Sequence, residues 1–176
     1  ANATTGLSDL VLETNGTIYD VILGDENVKN CIAQTSFSFL DIIGSTNDLV
    51  GAEVELVGVM AREYQLKKAL EKIDGQYDII IIDCPPSLGL LTINGFIKSD
   101  YLLIPVDASA YSHKGLLQLT DSFRKCNEMF NTHIEFLGIF FAKFNRQETI
   151  YKEAFQFLKE EIKDYLIDVT INKSTK

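Results

Sequence analysis

The 176-residue chain has no tryptophan, two histidines, three cysteines and three prolines. Each shortage excludes a kind of chemistry. His113 and His133 are too few and too far apart in the chain for a histidine-based metal centre. Cys31, Cys84 and Cys126 form no CxxC pair, so they read as free thiols of a reducing compartment and not as a disulfide frame or a zinc site. No apolar stretch approaches the roughly 20 residues of a membrane-spanning helix. The opening ANATTGLSDL lacks a basic region followed by an apolar core and is not read as a signal peptide. Basic charge is scarce in the first half: residues 1–88 carry 5 Lys/Arg against 14 Asp/Glu, whereas residues 89–176 carry 11 of each. A chain of net charge −9 does not bind nucleic acid through its bulk field. A local basic patch in the second half stays open (Arg124, Lys125, Lys143, Arg146, Lys152, Lys159, Lys163, Lys173, Lys176), against the plainer reading of solvated helix faces.

What is present is a globular composition, 46% hydrophobic and 23% charged, at a length that suits one domain over residues 1–176. Residues 37–43, 78–83, 101–106, 136–142 and 165–171 read as strands. Several of them are apolar without alternation, as strands covered on both faces are. Helical periodicity lies between them. Leu66, Ala69, Leu70 and Ile73 share a face, as do Leu116, Leu119, Thr120, Phe123 and Phe130, and then Ile150, Ala154, Leu158 and Ile162. Strand and helix in alternation predict an α/β fold: a doubly wound, mostly parallel sheet flanked by helices. No repeat or low-complexity linker divides the chain.

The stretch YDIIIIDCPPSLG, residues 77–89, carries the chemistry. Four isoleucines predict a central strand buried on both faces, with Asp83 at its carboxyl end, where open α/β sheets bind ligands. A carboxylate there suits a magnesium ion, which prefers oxygen and keeps several waters. Pro85 and Pro86 lack the N–H that a ladder needs and stop the strand. The alternative for Asp83 is a helix cap at an ordinary strand end. For Ser87 and Gly89 it is simple turn chemistry.

The wider wording, YDIIIIDCPPSLGLLTINGF, resembles the Walker B and switch II region of the ParA/Soj family of deviant-Walker partition ATPases. Five further segments resemble the family in order: ANATTGL at residue 1, TIYDVILGD at 17, DLVGAEVEL at 48, LIPVDASAYSHKGLLQL at 103 and GIFFAKFN at 138. The related positioning ATPase MinD usually has D-S-P-A-G where this chain has Asp83-Cys84-Pro85-Pro86-Ser87. One departure stands out. The family's phosphate loop, K-G-G-V-G-K-T, has no counterpart, since the 176 residues contain no G-x-x-x-x-G-K-[ST]. The match therefore looks like the interior of a family member, incomplete at both ends.

The resemblance implies a cytoplasmic, nucleoid-associated bacterial ATPase. With ATP and Mg2+ it would form a homodimer that binds nonspecific DNA, and a centromere-binding ParB/Spo0J-like protein would stimulate it. Asp83 would act on the magnesium ion through a water. Cys84, Pro85, Pro86, Ser87 and Gly89 would form the switch loop. Ala142, Lys143 and Phe144 align with the adenine side, where the family's usual Thr-Met-Tyr is replaced. Lys159, Lys163, Lys173 and Lys176 are the candidates for DNA, and Lys114 and His113 for partner contacts or plain solvation. Alternatives are a MinD-like positioning ATPase or a non-enzymatic interaction module, because the chain as given cannot cradle phosphates. A phosphate-loop strand normally lies beside Walker B. Its absence predicts that one edge of residues 79–83 lacks a hydrogen-bond partner.

Overall fold

The computed structural model describes residues 2–7, 14–85, 87–107, 113–144, 156, 159–160 and 165–172. The chain divides into two compact units, Ala1–Lys98 and Ser99–Lys176.

In the first unit, helix α1 (Asn2–Gly6) is followed by α2 (Ile18–Leu23). Thr17 and Asp20 form a capping box around the start of α2: the Thr17 N–H donates to Asp20 Oδ2 at 2.7 Å, and Thr17 Oγ1 accepts from the Tyr19 N–H. The Thr17 N–H holds the Asp20 carboxyl below its ordinary value. Strands β1 (Ile32–Gln34) and β2 (Asp41–Ile43) pair antiparallel, Ile32 opposite Ile43. The expected strand over 37–43 is thus three residues long, because residues 35–40 form the connection between β1 and β2. Helix α3 (Leu49–Glu55) runs into a 3-10 turn, Leu56–Gly58. The helical pattern at 62–73 is real but broken: 3-10 turns at Arg62–Tyr64 and Glu71–Ile73 flank α4 (Gln65–Leu70). Helix α5 (Leu90–Lys98) ends the unit. The core gathers Val21, Ile22, Val28, Cys31, Ala52, Leu56, Leu66, Leu70 and Ile73, and Leu66, Leu70 and Ile73 are the expected face of their helix.

Asn94 of α5 is fully buried and fully used. Its Oδ1 accepts from the Leu66 N–H at 3.1 Å, and its Nδ2 donates to the carbonyls of Arg62 at 2.9 Å and Leu90 at 3.0 Å. One amide thereby fixes α5 against α4 and the turn before it. Burial without these partners would cost several kcal/mol, roughly 1–3 for each unsatisfied group.

The second unit holds β3 (Tyr101–Asp107), α6 (His113–Phe130), β4 (Glu135–Phe144) and β5 (Leu166–Asn172). The strands form a parallel sheet in the order β3-β4-β5, with Ile104 opposite Ile139 and Val106 opposite Phe141. Parallel strands joined through a helix make the α/β fold expected from the alternation of patterns. Ile104, Val106, Ile139 and Phe141 are buried. Phe123 of α6 lies 6.2 Å from Phe136, which lies 5.0 Å from Tyr165. Helix α6 contains the stripe expected from Leu116 to Phe130 and begins at His113, two residues before the expected start at Gly115. Its exposed turn is laced by ion pairs: Arg124 with Asp121 and Glu128, and Lys125 with Asp121. Two members of the candidate basic patch are therefore locally neutralised on a solvated helix face.

The expectation of a buried central strand at residues 79–82 is corrected. Among the described residues, 79–85 belong to no sheet or helix, and their backbone enters no backbone–backbone hydrogen bond. Ile79 is 78% exposed and Ile81 88%, whereas Ile82 turns inward onto the core. One edge of residues 79–83 was expected to lack a hydrogen-bond partner; among the described residues neither edge has one, and an apolar run becomes a buried strand only when ladder partners are beside it.

Candidate functional site

The candidate site is the loop from Asp83 to Gly89, held between the open isoleucine run and the N-terminus of α5. The run is anchored at its start, where the Tyr77 hydroxyl donates to Asp41 Oδ2 of β2 at 2.7 Å. Burial first, and then this bond, push the Tyr77 phenol up to about 12. The run ends at Asp83, whose side chain is exposed. Cys84 points the other way. Its sulfur lies where α5 has Gly95, and a Cβ there would meet Sγ at 2.7 Å, so a side chain at 95 would push the loop off the helix. Burial, and secondarily the neighbouring Asp83, push the Cys84 thiol up, so it stays protonated near neutrality.

The far end of the loop is tied down by α5 itself. The buried Thr92 hydroxyl donates to the Ser87 carbonyl at 2.6 Å and lies 3.4 Å from the Pro85 carbonyl. Glu53 of α3 reaches across to the same place. Its Oε1 accepts from the Leu91 N–H at 3.4 Å, and its carboxylate lies where a Cβ on Gly89 would stand. The first turn of α5 has no acidic residue of its own. Glu53 therefore supplies, from another helix, the negative charge that a helix N-terminus favours. An exposed carboxylate, a proline-stiffened loop and a doubly fastened helix start make an arrangement that can present Asp83 and the loop backbone to a charged ligand.

Among the expected site residues, Asp83, Cys84, Pro85, Ser87 and Gly89 are contiguous here, and Pro86 lies outside the described residues. Ala142, Lys143 and Phe144 end β4 in the other unit, where Ala142 pairs with Asp107 and Phe144 with Asn172. Lys159 is exposed, while Lys163, Lys173 and Lys176 lie outside the described residues. Thr92, Gly95, Glu53 and Asn94 were not singled out from the sequence. Thr92 and Asn94 had a signal, two polar residues inside the apolar LLTINGF; Glu53 had none, being 36 residues from Gly89. Among the described residues, no cluster of three or more His, Cys, Asp or Glu is arranged to hold a metal ion unaided, and no helix is long and apolar enough to cross a membrane.

Comparison with known proteins bears on what this arrangement is. The family profile described as an AAA domain matches residues 1–136. The chain is 36% identical over 175 residues to the sporulation initiation inhibitor protein Soj of Bacillus subtilis, covering 99% of this chain and 69% of that one. It is 34% identical to the chromosome partitioning protein ParA of Myxococcus xanthus, covering 99% of this chain and 62% of that one. The chain thus spans about two thirds of the length of these curated relatives. Among solved structures, it resembles a cobyrinic acid a,c-diamide synthase from Mycobacterium smegmatis with bound ADP and magnesium. The TM-score is 0.83 at 27% identity, covering 93% of this chain and 66% of that one. The α/β fold is of the P-loop ATPase kind, and by the extent and identity of these matches the chain belongs to the ParA/Soj family of AAA-domain proteins.

Proposed function

We propose that residues 1–176 carry the magnesium carboxylate and the phosphate-sensing loop of a ParA-like ATPase that partitions chromosomes or plasmids. The observation that carries this reading is the placement of Asp83. It stands exposed at the head of a loop whose other end is fastened to α5 by Thr92 and Glu53. Movement of that loop would be transmitted to α5 instead of being lost in slack chain.

A lone carboxylate fits magnesium, which is held by one or two carboxylates plus substrate phosphates and retains water. Asp83 would hold the ion through a water, and the ion would neutralise phosphate charge, the main requirement of phosphoryl transfer. Ser87, Gly89 and the proline-stiffened backbone would register the γ-phosphate. The phosphate-cradling amides and lysines are not among these residues, since no G-x-x-x-x-G-K-[ST] occurs in the 176. A further strand bearing that loop would pair along residues 79–82, whose backbone enters no backbone–backbone hydrogen bond among the described residues and where Ile79, Ile80 and Ile81 are exposed. Residues 1–176 would then act as one domain, with Ala142, Lys143 and Phe144 on the adenine side. ATP-dependent homodimerisation, nonspecific DNA binding through Lys159, Lys163, Lys173 and Lys176, a ParB/Spo0J-like partner and a nucleoid location complete the reading.

The test extends the chain with a phosphate loop of the K-G-G-V-G-K-T kind and measures phosphate release with ATP, Mg2+ and DNA. Asp83→Ala is expected to keep the fold and abolish turnover, and hydrolysis at the parent rate would overturn the role of Asp83. Residues 1–176 alone are expected to bind no ATP at micromolar concentration in calorimetry. Binding with turnover would show that phosphate recognition needs no such loop.

A further inference from the structure

Helix α3 distributes its side chains against their polarity. Ala52 and Leu56 are fully buried, Val50 and Val54 stand in solvent, and Glu55 lines a groove with Asp20 and Asp48. Two valines are thus left outside, while the charged Glu53 turns inward and is half-buried. Withdrawing a carboxylate from water costs stability unless it is paired. Among the described residues Glu53 enters no ion pair, and its hydrogen bond from the Leu91 N–H is long, 3.4 Å. A local rule broken without an evident compensating gain points to a functional position. The neighbour of Glu53 says which function. A Cβ at position 89 would stand 2.7 Å from the Glu53 carboxyl carbon and 2.8 Å from Oε2. Gly89 is not among the residues of positive φ, so its backbone would take a side chain without strain. The carboxylate, and not the turn, keeps position 89 bare. The Gly89 carbonyl also accepts the Ile93 N–H at 3.1 Å, so the end of the loop is the start of the α5 ladder. Thr92, which holds Ser87, belongs to α5 and moves with it. Glu53 belongs to a different helix, seated in the core by Ala52 and Leu56, and so ties the loop to the body of the unit.

We infer that Glu53 is a positioning residue for the loop from Asp83 to Gly89: its carboxylate sets where Gly89 and the first turn of α5 stand relative to α3. The part of this that concerns turnover rests on the reading of that loop as the phosphate-sensing element. A backbone that registers a phosphate must be held closely, because a misplacement of about 1 Å costs about a hundredfold in rate. Glu53 touches the end of the loop and not its head at Asp83, so it governs turnover more than nucleotide affinity. The carboxylate is the far end of a flexible side chain. Gly89→Ala would therefore evict it at small cost to the fold and reproduce the loss of Glu53.

Two measurements test this. In residues 1–176, amide exchange at Leu91 is expected to quicken about tenfold in Glu53→Ala and in Gly89→Ala, and no more than about threefold in Glu53→Gln, which keeps an acceptor oxygen and the bulk. Melting temperatures should stay within about 4 °C of the parent. In the chain extended with a phosphate loop, Glu53→Ala and Gly89→Ala are each expected to lower kcat about tenfold and to leave KM for ATP within about twofold, and Glu53→Gln to restore most of the loss. The double variant Glu53→Ala/Gly89→Ala should lose no more than either single one, because an alanine at 89 then has no carboxylate to displace. Parent-like exchange at Leu91 in Glu53→Ala would overturn the inference, as would an unchanged kcat there while Asp83→Ala is inactive. Full addition of the two losses in the double variant would assign the effect of Gly89→Ala to the loop itself and also overturn it. A Glu53→Gln variant as impaired as Glu53→Ala, or a much larger fall in melting temperature in both, would do the same, by leaving only charge or packing as the role. Parent turnover in Asp83→Ala would remove the nucleotide reading instead, and exchange at Leu91 would still decide whether Glu53 places the loop.

Discussion

Two apolar runs of similar composition meet different fates in this molecule. Residues 101–107, YLLIPVD, form β3, pair with β4 and bury Ile104 and Val106. Residues 78–83, DIIIID, are if anything richer in strand-forming side chains, yet they lie unladdered among the described residues, with Ile79 and Ile81 in solvent. Strand propensity measures how well a side chain fits a pleated, covered surface; it does not create that surface. β3 has a neighbour that offers carbonyls and amides at the right spacing, while among the described residues the isoleucine run is held by Ile82 against the core and by the Tyr77–Asp41 bond at its start. A strand is thus a property of a pair.

The comparison can be broken most forcefully on its paired side. Phe141 of β4 is buried opposite Val106, and Phe141→Ala should cost about 3–5 kcal/mol in urea denaturation, through lost burial and the cavity left behind. Next in size, Asn94→Ala should cost about 2–4 kcal/mol, because it leaves the Leu66 N–H and the Arg62 carbonyl without their partner. This variant should also loosen α5, seen as faster amide exchange at residues 90–94.

On the unpaired side the effects shrink. Tyr77→Phe removes the bond that anchors the run and should cost about 1 kcal/mol near neutral pH. Its signature is in the pH dependence. The phenol is raised from 10.0 to about 12, so the neutral form is favoured in the folded state. The stability this contributes is fully present below pH 10 and is lost as pH rises from 10 to 12. The phenylalanine variant should lack that part of the alkaline loss, measured by melting temperature against pH. Smallest of all, Ile81→Ala should change stability by no more than about 0.5 kcal/mol, since the side chain is already in water. A cost near that of Phe141→Ala would show that the run is covered after all. Hydrogen exchange sharpens the contrast directly: amides of residues 79–82 should exchange quickly, and those of Ile104, Val106, Ile139 and Phe141 slowly.

Much of the second unit was legible in advance. The strands at 101–106, 136–142 and 165–171 were each placed within about two residues, and the stripe from Leu116 to Phe130 lies within α6, because apolar runs and a 3.6-residue period are distinctive patterns; cover on both faces was not borne out in β3, where Ile104 and Val106 are buried but Tyr101 and Leu103 exposed. The first unit was less legible. Helices α2, α3 and α5 are six, seven and nine residues long, too short for periodicity to declare them. The site loop was recognised from its wording, Asp83 to Gly89. What fastens it was not, because Thr92 and Glu53 act through positions in space and Glu53 is remote in sequence.

By itself the sequence determined the α/β alternation, the acidic first half, the place of Asp83 after an apolar run, and the lack of a phosphate loop, since all four are written in residue order and charge. Only the tertiary structure decided that the run stays open, that Glu53 serves the Leu91 N–H at the start of a helix, 38 residues away, and that α3 turns its valines outward beside a carboxylate groove. Each depends on which groups become neighbours when the chain folds: whether a ladder partner stands alongside, whether a carboxylate reaches an orphan N–H, and which helix face the core leaves uncovered.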